Sequence, residues 1–431
     1  MKKSSTFSNA AWIIFCRIIQ AMLSLFVGMW TARYLGPSNY GLINYASSLA
    51  AFVAPIAYLG INEVLVLDIV NNPDDEGKTV GTAISISLMM AVLCMIAIMI
   101  FVQLTSQNEV ETKVVCAFYN IALIFRTFQI AQYWFQAKLL SKYTSVASIL
   151  VYIAVSAFKI YLLVTGKSIL WFVACCLLDE ALIMATTLLL YHRLGGERLS
   201  FSKTVAFRLI SKSKNFIVPN LMITIFAQTD RIMLKLMIDN AAAGIYSAAM
   251  TCANMSSFVF VAIIDSFRPS IFSWRKSNIE IYETRIKQLN SIVIYLSICQ
   301  CVGFMVLAKP VIYILYGSEY MEAAAVLQVL IWYTLFSYLG AVRNIWVLAE
   351  EREKYLWVIN VAGVLLNVTA NYMLIPIYGP IGAAVASLLT QFVTNVVICT
   401  ISKPYRHGVE LMIAGLHPKY ILELLDTRKR G

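Results

Sequence analysis

The sequence predicts an all-α integral membrane protein of about twelve transmembrane helices arranged as two six-helix halves. Three observations carry that expectation. Of the 431 residues, 60% are hydrophobic and only 13% charged, which is too apolar for a soluble globular chain of this length. The apolar residues are gathered into runs long enough to cross a bilayer. Polar patterns and loop residues recur about half a chain apart.

The runs cover roughly residues 11–31, 42–61, 81–104, 114–131, 144–164, 169–191, 216–238, 244–264, 291–308, 323–348, 356–376 and 380–401. The first follows Met-Lys-Lys but exceeds the apolar region of a signal peptide and ends without a small-x-small cleavage site, so it is expected to stay as a membrane helix. Of the 34 Lys and Arg residues, 24 fall in the termini and in loops on the amino-terminal side, four (Arg33, Lys113, Lys167, Lys309) in loops on the opposite side, and six within runs. Both termini are therefore expected in the cytoplasm. The acidic group Glu63, Asp68, Asp74, Asp75 and Glu76 lies on the basic side, but carboxylates weigh little in that rule. Connections on the far side reach about a dozen residues at most, too short for a folded external domain.

This gives residues 1–191 as an N-terminal six-helix half, 192–215 as a basic cytoplasmic linker, 216–401 as a C-terminal six-helix half and 402–431 as a basic cytoplasmic tail. The linker alternates basic and apolar residues (Lys203, Phe207, Arg208, Lys212) and reads as interfacial. The tail is amphipathic from Val409 to Leu425 and ends in Arg428, Lys429 and Arg430; contact with an anionic leaflet and an unanchored tail fit it equally well.

The seventh run carries Asn220, Thr224, Gln228, Arg231 and Lys235 at helical spacing, a polar stripe about 24 Å long at 1.5 Å rise per residue. Cations at that depth favour a water-filled interior wall over a lipid-facing one. The first run repeats the stripe with Arg17, Gln20, Ser24, Gly28 and Thr31, offset by 203 or 204 residues. A second repeat, offset by 212, pairs Trp134 with Trp346 and Lys142-Tyr143 with Lys354-Tyr355. Six spans per half is an even number, so the halves share one orientation and a path between them is expected.

The net charge of +11 is spread over loops and not gathered in one patch, which reports topology and argues against nucleic acid as a partner. The nine cysteines lie within apolar runs without zinc-ligand spacing, and His192, His407 and His417 lie away from any nucleophile. No metal, disulfide, cofactor or catalytic constellation is expected.

Particular motifs then bear on the family. They are Arg33-Tyr34-Leu35-Gly36-Pro37 with Tyr40-Gly41, Asp230-Arg231, Ala243-Gly244-Ile245-Tyr246-Ser247-Ala248-Ala249, Leu315-Tyr316-Gly317-Ser318-Glu319-Tyr320, Arg343-Asn344-Ile345-Trp346, and Tyr378-Gly379-Pro380-Ile381-Gly382-Ala383-Ala384. Together they resemble the Wzx-type polysaccharide and O-antigen flippases of the multidrug/oligosaccharidyl-lipid/polysaccharide (MOP) exporter superfamily, over nearly the whole chain. The resemblance implies two six-helix lobes around a central cavity in a bacterial inner membrane. It also implies export of undecaprenyl-pyrophosphate-linked sugar units by alternating access, with membrane lipids and polysaccharide polymerase machinery as further partners. For Gly36 and Gly41 simple turn chemistry is the preferred reading, since Gly permits backbone angles that other residues avoid.

A lipid pyrophosphate crossing a membrane needs cations in a partly desolvated cleft, and Arg17, Arg126, Arg231, Lys235 and Arg343 are the candidates. Gln228 joins them as a substrate-binding candidate, and Gln129 and Gln132 on the Arg126 side, with Asn360, Asn367 and Asn371 on one face of the eleventh run, suit sugar hydroxyls; ordinary interhelix hydrogen bonding is the competing role. Lys159, Asp179, Glu180 and Asp230 form either structural ion pairs, with Lys159–Asp179 favoured, or an ion-coupling site. Rival functions are a cation-coupled drug antiporter of the same superfamily, disfavoured by scarce intramembrane acid, and a membrane glycan polymerase or ligase, disfavoured by the lack of a large external loop.

Overall fold

A computed structural model of the chain describes the backbone of residues 3–427 and the side chains of residues 19–423 apart from Ala21 and Tyr355. All regular structure among the described residues is helical. Eight helices are long and apolar enough to cross a membrane, or nine when the bent pair Asn240–Ala253 and Ser257–Ser277 counts as one span. Two of the eight, Met22–Asn71 with 50 residues and Leu356–Ile401 with 46, exceed one bilayer. At 1.5 Å per residue each reaches about 70 Å, more than twice a hydrocarbon core. Each is broken at a glycine outside helical angles, Gly36 (φ 73°) and Gly379 (φ 58°), each followed by proline. With these taken as double spans and the charged Lys203–Met237 helix added, the architecture is consistent with the twelve spans expected.

The turn reading holds at Gly36 but not at Gly41, which lies buried within the helix after the break. The eighth span differs from expectation, since its two helices meet at a 45° bend near Asn254–Ser256.

The chain forms two compact units, Met1–Gln228 and Thr229–Gly431. In the first, part of the segment read as an interfacial linker is held against the Glu76–Thr105 helix. Glu197 accepts from the Gly77 amide at 2.9 Å, the Ser200 amide donates to Gly77 O at 3.4 Å, and the Ser202 amide donates to Thr82 Oγ1 at 2.9 Å. Gly77 and Gly81 allow this approach, because a Cβ on them would stand 2.7 Å from Arg198 O and 2.5 Å from Ser200 N. Lys203 then starts the helix that runs to Met237, and its Val205 and Leu209 are buried with Ile61, Leu65, Trp134 and Phe135. On the same helix Arg208 and Lys212 hold the buried Asp68 at 3.0 and 2.8 Å. This explains why carboxylates are found on the basic side: Asp68, Asp75 and Glu76 are each paired with a cation.

In the second unit the tail is docked, not unanchored. Tyr405, Val409 and Leu411 of the Lys403–Ala414 helix are buried, and Tyr295 donates to Leu416 O at 2.7 Å. Arg428, Lys429 and Arg430 lie outside the described residues.

The 212-residue repeat reappears in backbone geometry. Leu139 (φ 59°) and Glu351 (φ 53°) are both left-handed, a costly conformation for residues with a Cβ. Each turn is closed alike, by Leu140 N to Phe135 O at 2.7 Å in the first unit and Arg352 N to Val347 O at 3.0 Å in the second. The charges beside them are reversed: Lys138 pairs with Glu76 at 2.9 Å, whereas Glu350 pairs with Arg275 at 2.8 Å.

Candidate functional site

In the second unit, the Lys203–Met237 helix delivers Asp230 into a fully buried polar cage. Its Oδ1 accepts from Asn371 Nδ2 at 2.6 Å and Asn367 Nδ2 at 3.3 Å. Its Oδ2 accepts from Ser387 Oγ at 2.5 Å and from the Tyr246 hydroxyl. Asn367 and Asn371, four residues apart, share one helix face, and Ser387 comes back beside them after the Gly379 break. Asp230 is only 4% exposed, and four donors replace the hydration that its carboxyl oxygens lose on burial. Asn371 Oδ1 is buried without a hydrogen-bond partner.

The first unit holds a second cluster. Arg126 Nε donates to Glu180 Oε1 at 2.6 Å and Gln129 Nε2 donates to Glu180 Oε2 at 2.6 Å. The favoured Lys159–Asp179 pair is corrected here: the ion pair formed in this region is Arg126–Glu180. Adjacent residues on a helix face different ways, so with Glu180 turned to Arg126, Asp179 points elsewhere. Lys159 acts on Asp179 only through space, and Asp179 Oδ1 is buried without a hydrogen bond.

Arg343 is held within its own unit. Its guanidinium donates to Thr394 O and approaches Cys399 Sγ, both at 3.4 Å, and donates to Asn344 Oδ1 at 3.0 Å. Thr394 belongs to a π turn, Val393–Val397, a local widening that leaves carbonyls for side-chain donors. Nη1 thus ties this helix to residues 393–401, while Nη2 stays on its own helix with Asn344.

The stripe on the seventh span is divided. Asn220 and Thr224 line a cavity in the first unit together with Tyr58, Asn62 and Glu63. Gln228 and Arg231 are half-buried, and Lys235 is buried at 6% exposure. The side chain of Arg17 lies outside the described residues. Among the described residues, no group of three or more His, Cys, Asp or Glu side chains is placed to hold a metal ion.

Sequence reasoning found Asp230, Asn367 and Asn371 but not Ser387 or Tyr246. The i, i+4 asparagines were the available signal, because two amides on one face of an apolar helix need a polar partner. Nothing local marks Ser387, which is 157 positions from Asp230.

Comparisons with known proteins give the chain its relatives. Residues 7–273 match the family described as "Polysaccharide biosynthesis protein". The capsular polysaccharide biosynthesis protein CapF of Staphylococcus aureus is 20% identical over 398 residues, covering 89% of this chain and 96% of CapF. Among solved structures, lipid II flippase MurJ in an inward closed conformation superposes with a TM-score of 0.67 at 13% identity, covering 96% of this chain and 92% of MurJ. An inward-facing multidrug resistance MATE family transporter of the MOP superfamily has the same TM-score, 0.67, at 12% identity, covering 91% of this chain and 95% of that one. At these identities the two structures share a fold with this chain.

Proposed function

Since the chain belongs to the polysaccharide biosynthesis protein family, we propose that this multi-pass membrane protein is a flippase. It moves undecaprenyl-pyrophosphate-linked oligosaccharide units of a surface polysaccharide, O-antigen or another repeat, from the cytoplasmic to the outer leaflet by alternating access. The family match over residues 7–273 carries the reading. It is supported by CapF, whose name places it in capsular polysaccharide biosynthesis, and by a fold shared with a lipid II flippase. In this reading the protein lies in a bacterial inner membrane with both termini cytoplasmic. Arg231 and Lys235, with Arg17, provide cations for the pyrophosphate. Arg126, Gln129 and Arg343 are further candidates for the substrate, and each also ties helices together within its own unit. Asp230, held in a cage of hydroxyls and amides, is the candidate coupling group.

The test is genetic. Deleting the gene from its host should abolish the surface polysaccharide and leave lipid-linked units facing the cytoplasm, with both effects reversed by the wild-type gene. An unchanged surface polysaccharide in the deletion strain contradicts the reading.

A further inference from the structure

One cavity in the first unit has a lining unlike the cationic features already described. It has a volume of about 260 Å³ and is lined by Tyr58, Asn62, Glu63, Asn220 and Thr224, with Ala54, Pro55 and Ile223 as its apolar wall. It opens where the chain breaks between two helices: Leu59 (φ 48°) and Gly60 (φ 66°) are both left-handed, and the next helix starts at Ile61. Gly60 is needed here for space as well, because a Cβ would stand 2.9 Å from Ser213 O. Asn62 Oδ1 is shielded from solvent yet accepts no hydrogen bond. Such a buried acceptor in a polar cavity invites a donor from a ligand.

The lining decides which ligand. No Lys or Arg is among the residues that form the cavity, and its one charged group is the Glu63 carboxylate. That disfavours a phosphate. Donors and acceptors are mixed at close range: Asn220 Nδ2 reaches Glu63 Oε1 at 3.5 Å, and the Thr224 hydroxyl donates to Asn220 O at 2.8 Å while keeping its lone pairs. Carboxamides that donate and accept, beside a carboxylate and a phenol, match adjacent hydroxyls that do the same. The volume falls just under the roughly 300 Å³ at which pockets begin to take drug-sized ligands, so it suits one sugar ring and not a whole repeat unit. Tyr58 also lies within electrostatic reach of Arg126 and Glu180, so the cavity borders that ion pair.

We propose that this cavity is a sugar-reading subsite: Asn62, Glu63 and Asn220 hydrogen-bond one neutral sugar ring of the lipid-linked unit while the pyrophosphate is bound elsewhere. The proposal rests on the flippase reading. It adds that the chain distinguishes a glycosylated lipid from the bare lipid carrier, and that it does so through its first unit.

The experiment measures binding to purified full-length protein in lipid nanodiscs. The two probes are the lipid-linked saccharide extracted from the host's membranes and undecaprenyl pyrophosphate without sugar. The wild type should bind the glycosylated lipid more tightly. Asn62→Ala with Asn220→Ala should weaken that binding about tenfold, as expected for losing two modest hydrogen bonds, and leave the bare lipid unaffected. Glu63→Gln keeps the shape of the site and should give a smaller loss in the same direction; it decides the matter if the double variant fails to fold. Equal binding of both lipids by the wild type, or equal loss of both in the variants, overturns the subsite and leaves the flippase reading standing. A wild type that binds neither lipid overturns both.

Discussion

Arg126 and Glu180 are 54 positions apart in the chain and 2.6 Å apart in space, and their pairing changes what either residue can do. Arg126→Met leaves the Glu180 carboxylate with Gln129 alone. The Arg126 side chain is 34% exposed, which lowers the penalty below the roughly 3–5 kcal/mol of a fully buried pair. A loss of about 2 kcal/mol is expected in thermal unfolding of the detergent-solubilised protein. Adding Glu180→Gln should recover most of it, and a double variant no better than the single would rule out the pair as the source. Asp230 is buried more deeply. In Asp230→Asn one acceptor oxygen becomes a donor that faces donors, so destabilisation of about 3 kcal/mol is expected, since hydrogen bonds to charged groups are worth roughly 1.5–3 kcal/mol each. Unfolding midpoints measured beside transport separate a structural role from coupling: near-normal stability with no transport would assign Asp230 to coupling alone. Neither partner set could be read from the sequence, because adjacent carboxylates such as Asp179 and Glu180 differ only in the direction the helix turns them. The residue types were legible there, but the pairing was set by tertiary packing.

At the scale of elements, hydrophobic run length revealed the spans, and the turn reading of Gly36 matched a break, whereas Gly379 entered only as part of a family motif. The bend at Asn254–Ser256 was not legible, since the residues around it read as one continuous apolar run. The strap over residues 196–202 was also hidden, because Gly77 and Gly81 reveal their role only when another backbone crosses them. Gly81→Val should dislodge that strap, its Cβ having no room against the backbone of Ser200. Overpacking of this kind typically costs about 1–3 kcal/mol. Limited proteolysis in membranes reports it as faster cleavage between Leu194 and Ser202; unchanged cleavage would show that the strap is not held by close approach at Gly81.

At the scale of the whole molecule, the repeat offers its own test. Lys138 and Glu350 occupy equivalent positions with opposite charge, so each unit tolerates either sign only with its partner. Exchanging the charges within the first unit, Glu76→Lys with Lys138→Glu, should retain more folded protein in membranes than Glu76→Lys alone, and equal abundance would dismiss the pairing. Sidedness is tested by single cysteines in a cysteine-free background. An impermeant thiol reagent added to intact cells should label Lys167→Cys and not Lys203→Cys, both being exposed positions. Labelling of both at similar rates would contradict the orientation derived from Lys and Arg counts.

The most direct test of the central claim is translocation by the purified protein in proteoliposomes. Lipid-linked saccharide from the host is placed in both leaflets, and the sugar remaining accessible to an added glycosidase is followed over time. The flippase account predicts that sugar protected in the inner leaflet becomes accessible with wild-type protein, and that Arg231→Ala with Lys235→Ala slows this at least tenfold. Protected sugar that stays protected, while the same vesicles exchange a cationic dye for protons, would contradict it.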